Sequence, residues 1–276
     1  VTDTAVFGVT QNLGARLGAG ALGDATQRET PFSSTVVTNE QRKRLLMGLF
    51  DSFYADKPEG SMVFDTNRMW AANMTAIADL YPQAKVIACV RNVAWVMDSI
   101  ERLYRANPYE NTRLFNDAVE RNTVYSRVDT LGMRNRLVGY SWSALKEAFY
   151  CEQASALLIV EYDLLARAPE KVLPLVYQFI GEPWYEGHDF NRVEFDAPEF
   201  DNALGLSGLH KVRQQVAYVP RASILPPDLF AQYENMNFWQ DVANSRANVI
   251  TTSEQPSGRT DPTTTTGNQL LTEPAV

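Results

Sequence analysis

The chain has 276 residues, of which 45% are hydrophobic, enough to bury one sizeable core in a single large domain. Its formal net charge of −8 at pH 7 argues against a protein that coats nucleic acid, although a local basic pocket is compatible with it. The two cysteines form no CxxC or Cys/His pattern, which predicts free, buried thiols in a reducing compartment and hence a cytoplasmic protein. No apolar run approaches the roughly 20 residues of a membrane span, and no signal peptide is visible, so we expect no membrane partner.

The first predicted elements precede the centre of the chain. Thr38, Asn39 and Glu40 are suited to begin a helix whose apolar side continues to Phe53. A turn over residues 57–60 follows. The pattern then predicts a short buried strand over residues 61–66 and a helix over 70–81, which Pro82 ends.

At the centre of the chain, an apolar run leads directly into a helical pattern. Residues 86–90 are apolar throughout, as in a strand that is buried on both faces. From Val93 the period of the apolar residues changes to that of a helix. The apolar face of this helix holds Val96, Ile100, Leu103 and Tyr104, and the charged residues that mostly avoid it are Asp98, Glu101, Arg102 and Arg105.

The junction between this strand and helix has the composition of an anion site. Asn92 is suited to cap the helix, and Ser99 lies about two turns further along on the same side. Together with Arg91, the free amides of the first turn and the Ser99 hydroxyl suit a phosphate group. The alternative is a surface or salt-bridge arginine and a serine without a function, and spacing alone leaves this open.

The rest of the chain continues the alternation of short apolar runs with helices. This pattern predicts an α/β fold with a parallel sheet, in which a ligand binds at the carboxyl ends of the strands. Polar side chains follow the predicted strands at 66–68, 91–92 and 162–163. The further predictions are an irregular insertion or lid over 107–136, helices over 140–153, 169–179 and 227–239, a strand over 156–160, and loops over 185–227.

The composition changes near residue 243. From there the chain is rich in Thr, Ser and Pro, and it reads as a disordered tail. We therefore expect two regions, an α/β domain over residues 1–242 and a tail over residues 243–276.

Four segments carry a family resemblance through their order along the chain. They are Phe-Asp-Thr-Asn-Arg at 64–68, residues 81–92 with Ser99, Ile-Val-Glu-Tyr-Asp-Leu at 159–164 with Gly181 further on, and Gly-Leu-His-Lys-Val-Arg at 208–213. Together they resemble sulfotransferases that use 3′-phosphoadenosine 5′-phosphosulfate (PAPS). The resemblance extends from about Val36 to Trp239 and implies a three-layer, P-loop-like α/β fold.

The resemblance also implies roles for individual residues. Arg91 and Ser99 would hold the 3′-phosphate, Tyr162 would lie near the adenine, and Lys211 and Arg213 would add positive charge around the 3′-phosphate. A buried strand-end tyrosine and a solvated basic pair are the alternatives for the last three. PAPS would be the co-substrate, no metal would be required, and the acceptor would be a small molecule or a glycan.

The chain departs from the family pattern in two places. The family begins with a strand and a Gly/Ser-rich turn that binds the 5′-phosphosulfate, and residues 8–14 do not match that turn, so we expect the chain as given to lack it. Asn67 stands where many relatives have a histidine that acts as general base, and it cannot accept a proton. Asp65 is a candidate base or a partner of Arg68, and His210 adjoins the basic loop. The candidate catalytic residues are therefore Asp65, Asn67 and His210.

These observations lead to one expected function and one alternative from another class. The expected function is transfer of a sulfuryl group from PAPS to a hydroxyl or amine. The alternative is a non-catalytic nucleotide-binding or structural protein on a degenerate sulfotransferase fold. A P-loop kinase would fit the fold, but the chain contains no GxxxxGK[ST] motif.

Overall fold

The structure is a computed structural model, and it describes residues 38–58, 60–107, 109–110 and 112–251. The described residues form two compact units. The first unit holds the described residues up to Arg68 together with residues 76–82, and the second holds residues 69–75 and those from 83 onward. Residues 8–14, which do not match the family's phosphate-binding turn, lie outside the described residues.

Helices make up most of the regular structure among the described residues. The α-helices are α1 (Asn39–Phe53), α2 (Met74–Leu80), α3 (Val93–Ala106), α4 (Ala118–Arg121), α5 (Val124–Gly132), α6 (Leu137–Tyr150), α7 (Tyr162–Arg167), α8 (Pro169–Ile180), α9 (Pro198–Leu204) and α10 (Pro227–Tyr233). Single turns of 3-10 helix occupy Trp70–Asn73, Ala154–Ala156, Phe238–Gln240 and Val242–Asn244. None of the helices in the described part of the chain is long and apolar enough to cross a membrane.

The sheet of the second unit is parallel, as the sequence predicts. Its strands are β1 (Val86–Val90), β2 (Leu157–Glu161) and β3 (Asn248–Ile250), and β2 lies between the other two. The register pairs Val90 with Glu161 at the carboxyl ends of β1 and β2. The residues that follow these two strands are therefore neighbours at one edge of the sheet.

The side chains of β2 alternate between two cores, which gives the unit its three layers. Leu157 and Ile159 are buried in a cluster that includes Phe149 of α6. Leu158 and Val160 point to the opposite face, where they pack with residues of α8. Because successive side chains of a strand point to opposite faces, one strand buries apolar surface against helices on both sides. The α/β class with a parallel sheet flanked by helices is confirmed.

Two predictions about the strands are wrong. Residues 61–66 are not a strand, and the apolar side chains of Met62, Val63 and Phe64 are exposed. In contrast, β3 lies inside the stretch predicted as a disordered tail, and its Val249 and Ile250 are buried. The tail prediction is therefore wrong for the described residues 243–251, and residues 252–276 lie outside the described part of the chain.

Much of the described part of segment 107–136 packs in the core and does not form an irregular lid over the sheet. It contains α4 and α5, and each begins at a side-chain cap, Asp117 and Thr123 respectively. Val128 and Leu131 of α5 are buried in the same hydrophobic cluster as Met97 of α3. The polar appearance of the segment reflects its caps and charged partners, while one side of α5 is buried in the core.

Helix α3 differs from its prediction on the charged side. Asp98 and Glu101 are fully buried, with exposed fractions of 0% and 2%, although the sequence places them away from the apolar face. Other segments pack on that side of α3 and bring arginine side chains to both carboxylates. Buried carboxylates are tolerated because they are paired and hydrogen-bonded.

Candidate functional site

The junction between β1 and α3 forms as the sequence predicts. The Asn92 side chain accepts a hydrogen bond of 3.0 Å from the Ala94 N–H, so it is the N-cap of α3. Its side-chain amide also donates to the carbonyl of Glu234 at 2.6 Å, which ties the junction to the end of α10. Arg91 is thereby held between the last residue of a strand and a capped helix.

Arg91 lies against the residues that follow β2. Its Nε donates to Asp163 Oδ1 at 3.1 Å, and its guanidinium lies 4.7 Å from the ring centroid of Tyr162. Trp95, one turn into α3, lies on another side at 5.8 Å. The side chain is 19% exposed. The parallel pairing of β1 with β2 is what brings Arg91 and Tyr162 together, so two of the predicted nucleotide residues share one site.

Ser99 is joined to this site by an arginine that the sequence analysis does not single out. Its Oγ donates to the Trp95 carbonyl at 2.9 Å and accepts from Arg221 at 2.7 Å. The guanidinium of Arg221 also lies 5.8 Å from the Trp95 ring centroid, the same distance as that of Arg91. Arg91, Ser99 and Arg221 thus gather around one indole.

The arginines at this site crowd one another. Burial is the main cause that lowers the pKa of Arg221, and the charges of Arg102, Arg91 and Arg213 lower it further, while Asp98 opposes them. The guanidinium stays charged, because no such shift brings an arginine near neutral pH. The Nε of Arg221 is buried and has no hydrogen-bond acceptor within the described residues. Several cations and an unpaired donor at one place are what a multiply charged anion would stabilise.

Asp98 is the counter-charge of this arginine group. Its Oδ2 accepts from Arg102 Nε at 2.9 Å and lies 2.7 Å from an Arg221 nitrogen, and its Oδ1 accepts from the Ile224 N–H at 2.7 Å. Burial alone would raise the pKa of Asp98, but the hydrogen bonds from Arg102 and Ile224 and the charge of Arg221 outweigh it, so the pKa lies below its usual value. The carboxylate is therefore ionised at neutral pH.

The low pKa of Asp98 leads to a prediction about acid stability. A carboxyl whose pKa in the folded chain lies below its ordinary value of 3.8 stabilises the fold above that value, and the contribution disappears as the pH falls through the folded pKa. We expect the free energy of unfolding of the unaltered protein to exceed that of Asp98→Asn by a constant amount above about pH 5. Below about pH 4 this difference should shrink as the pH falls. Urea unfolding from neutral to acidic pH measures this difference. A difference that stays constant down to about pH 3 would contradict the prediction.

His210 lies in a loop that a buried carboxylate fixes. Asp201 is fully buried, and it lies 2.5 Å from His210 Nδ1 and accepts from the backbone N–H of His210 at 2.9 Å. The same loop carries Lys211 and Arg213, which are both exposed. Both side chains stay in the exposed loop, and the positive charge of Arg213 is among the causes that lower the pKa of Arg221.

The other two candidate catalytic residues belong to the first unit. Asp65 accepts a hydrogen bond of 2.7 Å from the Tyr54 hydroxyl, and both Asp65 and Asn67 are half-buried. Burial and the hydrogen bond to Asp65 raise the pKa of Tyr54. Within its own unit, Asp65 thus holds a tyrosine, while Arg68 is exposed.

Arg221 is the site residue that sequence reasoning misses. It pairs with Ser99 across 122 residues, and no local period or spacing relates the two. The available signal is weak: a single arginine in a largely apolar loop, five residues before the Pro226–Pro227 pair that begins α10. Lys211 and Arg213 draw attention first because they stand in a denser basic cluster.

The geometry agrees with a comparison with known proteins. A model described as the sulfotransferase family matches residues 21–186, more than half of the chain. The match includes the junction at Arg91, all of α3 and the end of β2 at Tyr162, whereas Arg221 lies beyond it. No curated protein matches the chain. Because the family model matches more than half of the chain, the chain belongs to the sulfotransferase family.

Proposed function

We propose that the protein is a PAPS-dependent sulfotransferase that transfers the sulfuryl group to a hydroxyl or amine. The family supports sulfuryl transfer in general, and the choice of donor is our inference from the site. The observation that carries it is the meeting of Arg91 and Arg221 at Trp95 and Ser99, on the carboxyl edge of the sheet. A ligand of a parallel α/β sheet binds at that edge.

The donors at this site suit the 3′-phosphate of PAPS. Arg91 and Arg221 bring two guanidinium groups, and Arg213 adds a third positive charge. The buried Nε of Arg221 has no acceptor among the described residues, and a phosphate oxygen would supply one. Arginine is suited to this task because its planar fork matches the geometry of a phosphate. The Ser99 hydroxyl adds a neutral partner beside the two charges.

Tyr162 is suited to contact the adenine. It directly follows β2, it is 42% exposed, and one face of its ring is covered by the Arg91 guanidinium. A ring held in this way is rigid and presents its other side for contact with a base.

The proposed reaction requires little covalent chemistry from the protein itself. The bond between the donor sulfur and its bridging oxygen breaks, a bond from the acceptor oxygen or nitrogen to sulfur forms, and the acceptor loses a proton. 3′-Phosphoadenosine 5′-phosphate (PAP) leaves with the bridging oxygen. As in phosphoryl transfer, binding in line and stabilising the charge of the leaving phosphate would supply most of the rate. Asp65, Asn67 and His210 remain predicted catalytic residues, and the acceptor would be a small molecule or a glycan.

The proposal is tested by nucleotide affinity and by turnover. We expect PAP to bind at least about tenfold more tightly than adenosine 5′-monophosphate (AMP), because AMP lacks the 3′-phosphate that the arginines would bind. Calorimetry measures both affinities, and a panel of alcohols and amines with labelled PAPS measures transfer. Equal affinity for the two nucleotides would overturn the donor assignment. Preference for PAP without transfer to any acceptor would favour the alternative, a non-catalytic nucleotide-binding protein.

A further inference from the structure

A short strap of chain carries Arg221 across α3. The strap is residues 221–225, and it is joined to α3 by polar contacts with Asp98 and Arg102. Arg102 donates to the carbonyl of Ala222 at 2.6 Å. The Ser223 hydroxyl and the Ile224 N–H donate to Asp98 Oδ1 at 3.1 and 2.7 Å. The position of Arg221 relative to Ser99 therefore depends on how the strap is held.

The two oxygens of Asp98 have different tasks. Oδ1 accepts only from the strap, through Ser223 and Ile224, and so fixes its backbone. Oδ2 accepts from Arg102 and lies 2.7 Å from the Arg221 nitrogen that also donates to Ser99. One carboxylate with an exposed fraction of 0% thus accepts three hydrogen bonds and forms an ion pair with Arg221. Three hydrogen bonds and an ion pair use most of the acceptor capacity of a carboxylate and hold Asp98 in one position.

We propose that Asp98 is a positioning residue of the nucleotide site: its carboxylate anchors the strap and turns the Arg221 guanidinium toward Ser99, so that Arg221 can bind the 3′-phosphate. This inference rests on the proposed function. Asp98 itself is buried beneath the arginines and does not contact the nucleotide. Its effect passes through Arg221, which it holds in place against the repulsion of Arg91, Arg102 and Arg213.

The direction in which Asp98→Asn changes PAP affinity distinguishes a positioning role of Asp98 from a purely electrostatic one. A negative charge near an anion site repels the anion, so removal of Asp98 as a mere charge would tighten binding of PAP. If Asp98 positions Arg221, removal of its charge weakens binding instead, because the guanidinium loses its orienting partner. Asn at residue 98 keeps one acceptor for the strap but presents an amide donor toward Arg102 and Arg221, which already are donors. Asp98→Asn therefore releases Arg221 while retaining part of the anchor.

The experiment compares the affinities of PAP and AMP by calorimetry for the unaltered protein and Asp98→Asn. We expect Asp98→Asn to weaken PAP binding about tenfold and to change AMP binding by less than about twofold. Glu101→Gln is the matched control, because Glu101 is also a buried carboxylate of α3 paired with arginines but does not contact the strap. The control should lose stability and keep the ratio of the two affinities. Loss of that ratio in the control would overturn the inference, since it would show that any damage to α3 has the same effect.

A double substitution completes the test. If Asp98 acts through Arg221, Asp98→Asn should change PAP affinity by less than about twofold when Arg221 is already alanine. A tenfold loss in that background, or tighter PAP binding by Asp98→Asn alone, would overturn the positioning role. Failure of the proposed function has a different signature, because the unaltered protein would then bind PAP and AMP equally.

Discussion

Arg91→Ala should weaken the binding of PAP by about 2 kcal/mol or more, or roughly 30-fold. Arg91 is 19% exposed and is fixed by Asp163, so its guanidinium is already oriented and little entropy is lost when it binds an anion. The substitution removes a charged hydrogen-bond donor from the phosphate and leaves Asp163 as an unpaired negative charge near it. Calorimetry with PAP measures the loss.

Three comparisons make this result specific. AMP should bind Arg91→Ala and the unaltered protein nearly alike, whereas equal losses for both nucleotides would refute the assignment of Arg91 to the 3′-phosphate. The PAP affinity of Arg91→Lys should lie between those of Arg91→Ala and the unaltered protein, because lysine keeps the charge but lacks the planar fork. Arg192→Ala is the matched control: Arg192 is 74% exposed and its contact with Glu194 is 3.6 Å long. Replacing such a surface arginine should leave PAP binding unchanged.

The part of the site near Arg91 could be predicted because it is local in sequence. The change from an apolar run to a helical period fixes the junction within one or two residues, and Asn92 caps the helix as expected. The sequence pattern alone also predicts that Arg91 and Tyr162 lie close together, since both directly follow neighbouring strands of a parallel sheet. For β1, β2 and α3, the strand ends and the helix start are therefore enough to predict the geometry around Arg91.

The part of the site at Arg221 could not be predicted, because it depends on how distant segments pack. The strap joins α3 through a carboxylate that the helical period assigns to the solvent side. A period identifies where apolar residues point, but it does not reveal that a second surface of the same helix is buried by charged pairs. Asp98 and Glu101 are both cases of this limit.

The errors in the sheet have a related cause. Residues 61–66 have strand composition but form no strand, since a strand needs a neighbour for its backbone hydrogen bonds and composition does not supply one. β3 has three residues and stands beside a Thr/Ser/Pro-rich stretch, so its burial against β2 outweighs the composition around it. When composition is averaged over a longer window of sequence, the signal of a three-residue strand such as β3 is lost.

The arginines of segment 107–136 illustrate that a basic residue can serve the fold instead of a ligand. Arg127 is 9% exposed and donates to both oxygens of Glu101, at 2.8 and 2.6 Å. It also lies 4.3 Å from the ring centroid of Tyr104. Arg105 donates to the same carboxylate at 2.7 Å. This network joins α5 to α3, so these arginines stabilise the contact between the two helices.

Glu101→Ala is therefore expected to lower the free energy of unfolding by about 3 to 4 kcal/mol, because Arg127 would remain as a buried charge without its partner. For a chain of this size the melting temperature should fall by roughly 6 to 16 °C, measured by calorimetry or circular dichroism. Glu194→Ala is the matched control, since Glu194 is 75% exposed and its removal should cost about 0.5 kcal/mol or less.

The double variant Glu101→Met/Arg127→Met separates the cost of an unpaired charge from the value of the pair. A buried ion pair costs much in desolvation, so replacing both partners with apolar side chains of similar length should restore most of the stability lost in Glu101→Ala. If the double variant is instead as unstable as Glu101→Ala, the pair itself stabilises the contact between α5 and α3, through the bidentate geometry and the stacking on Tyr104. PAP affinity should be retained in the double variant, because the network has no contact with Arg91, Ser99 or Arg221 among the described hydrogen bonds and ion pairs.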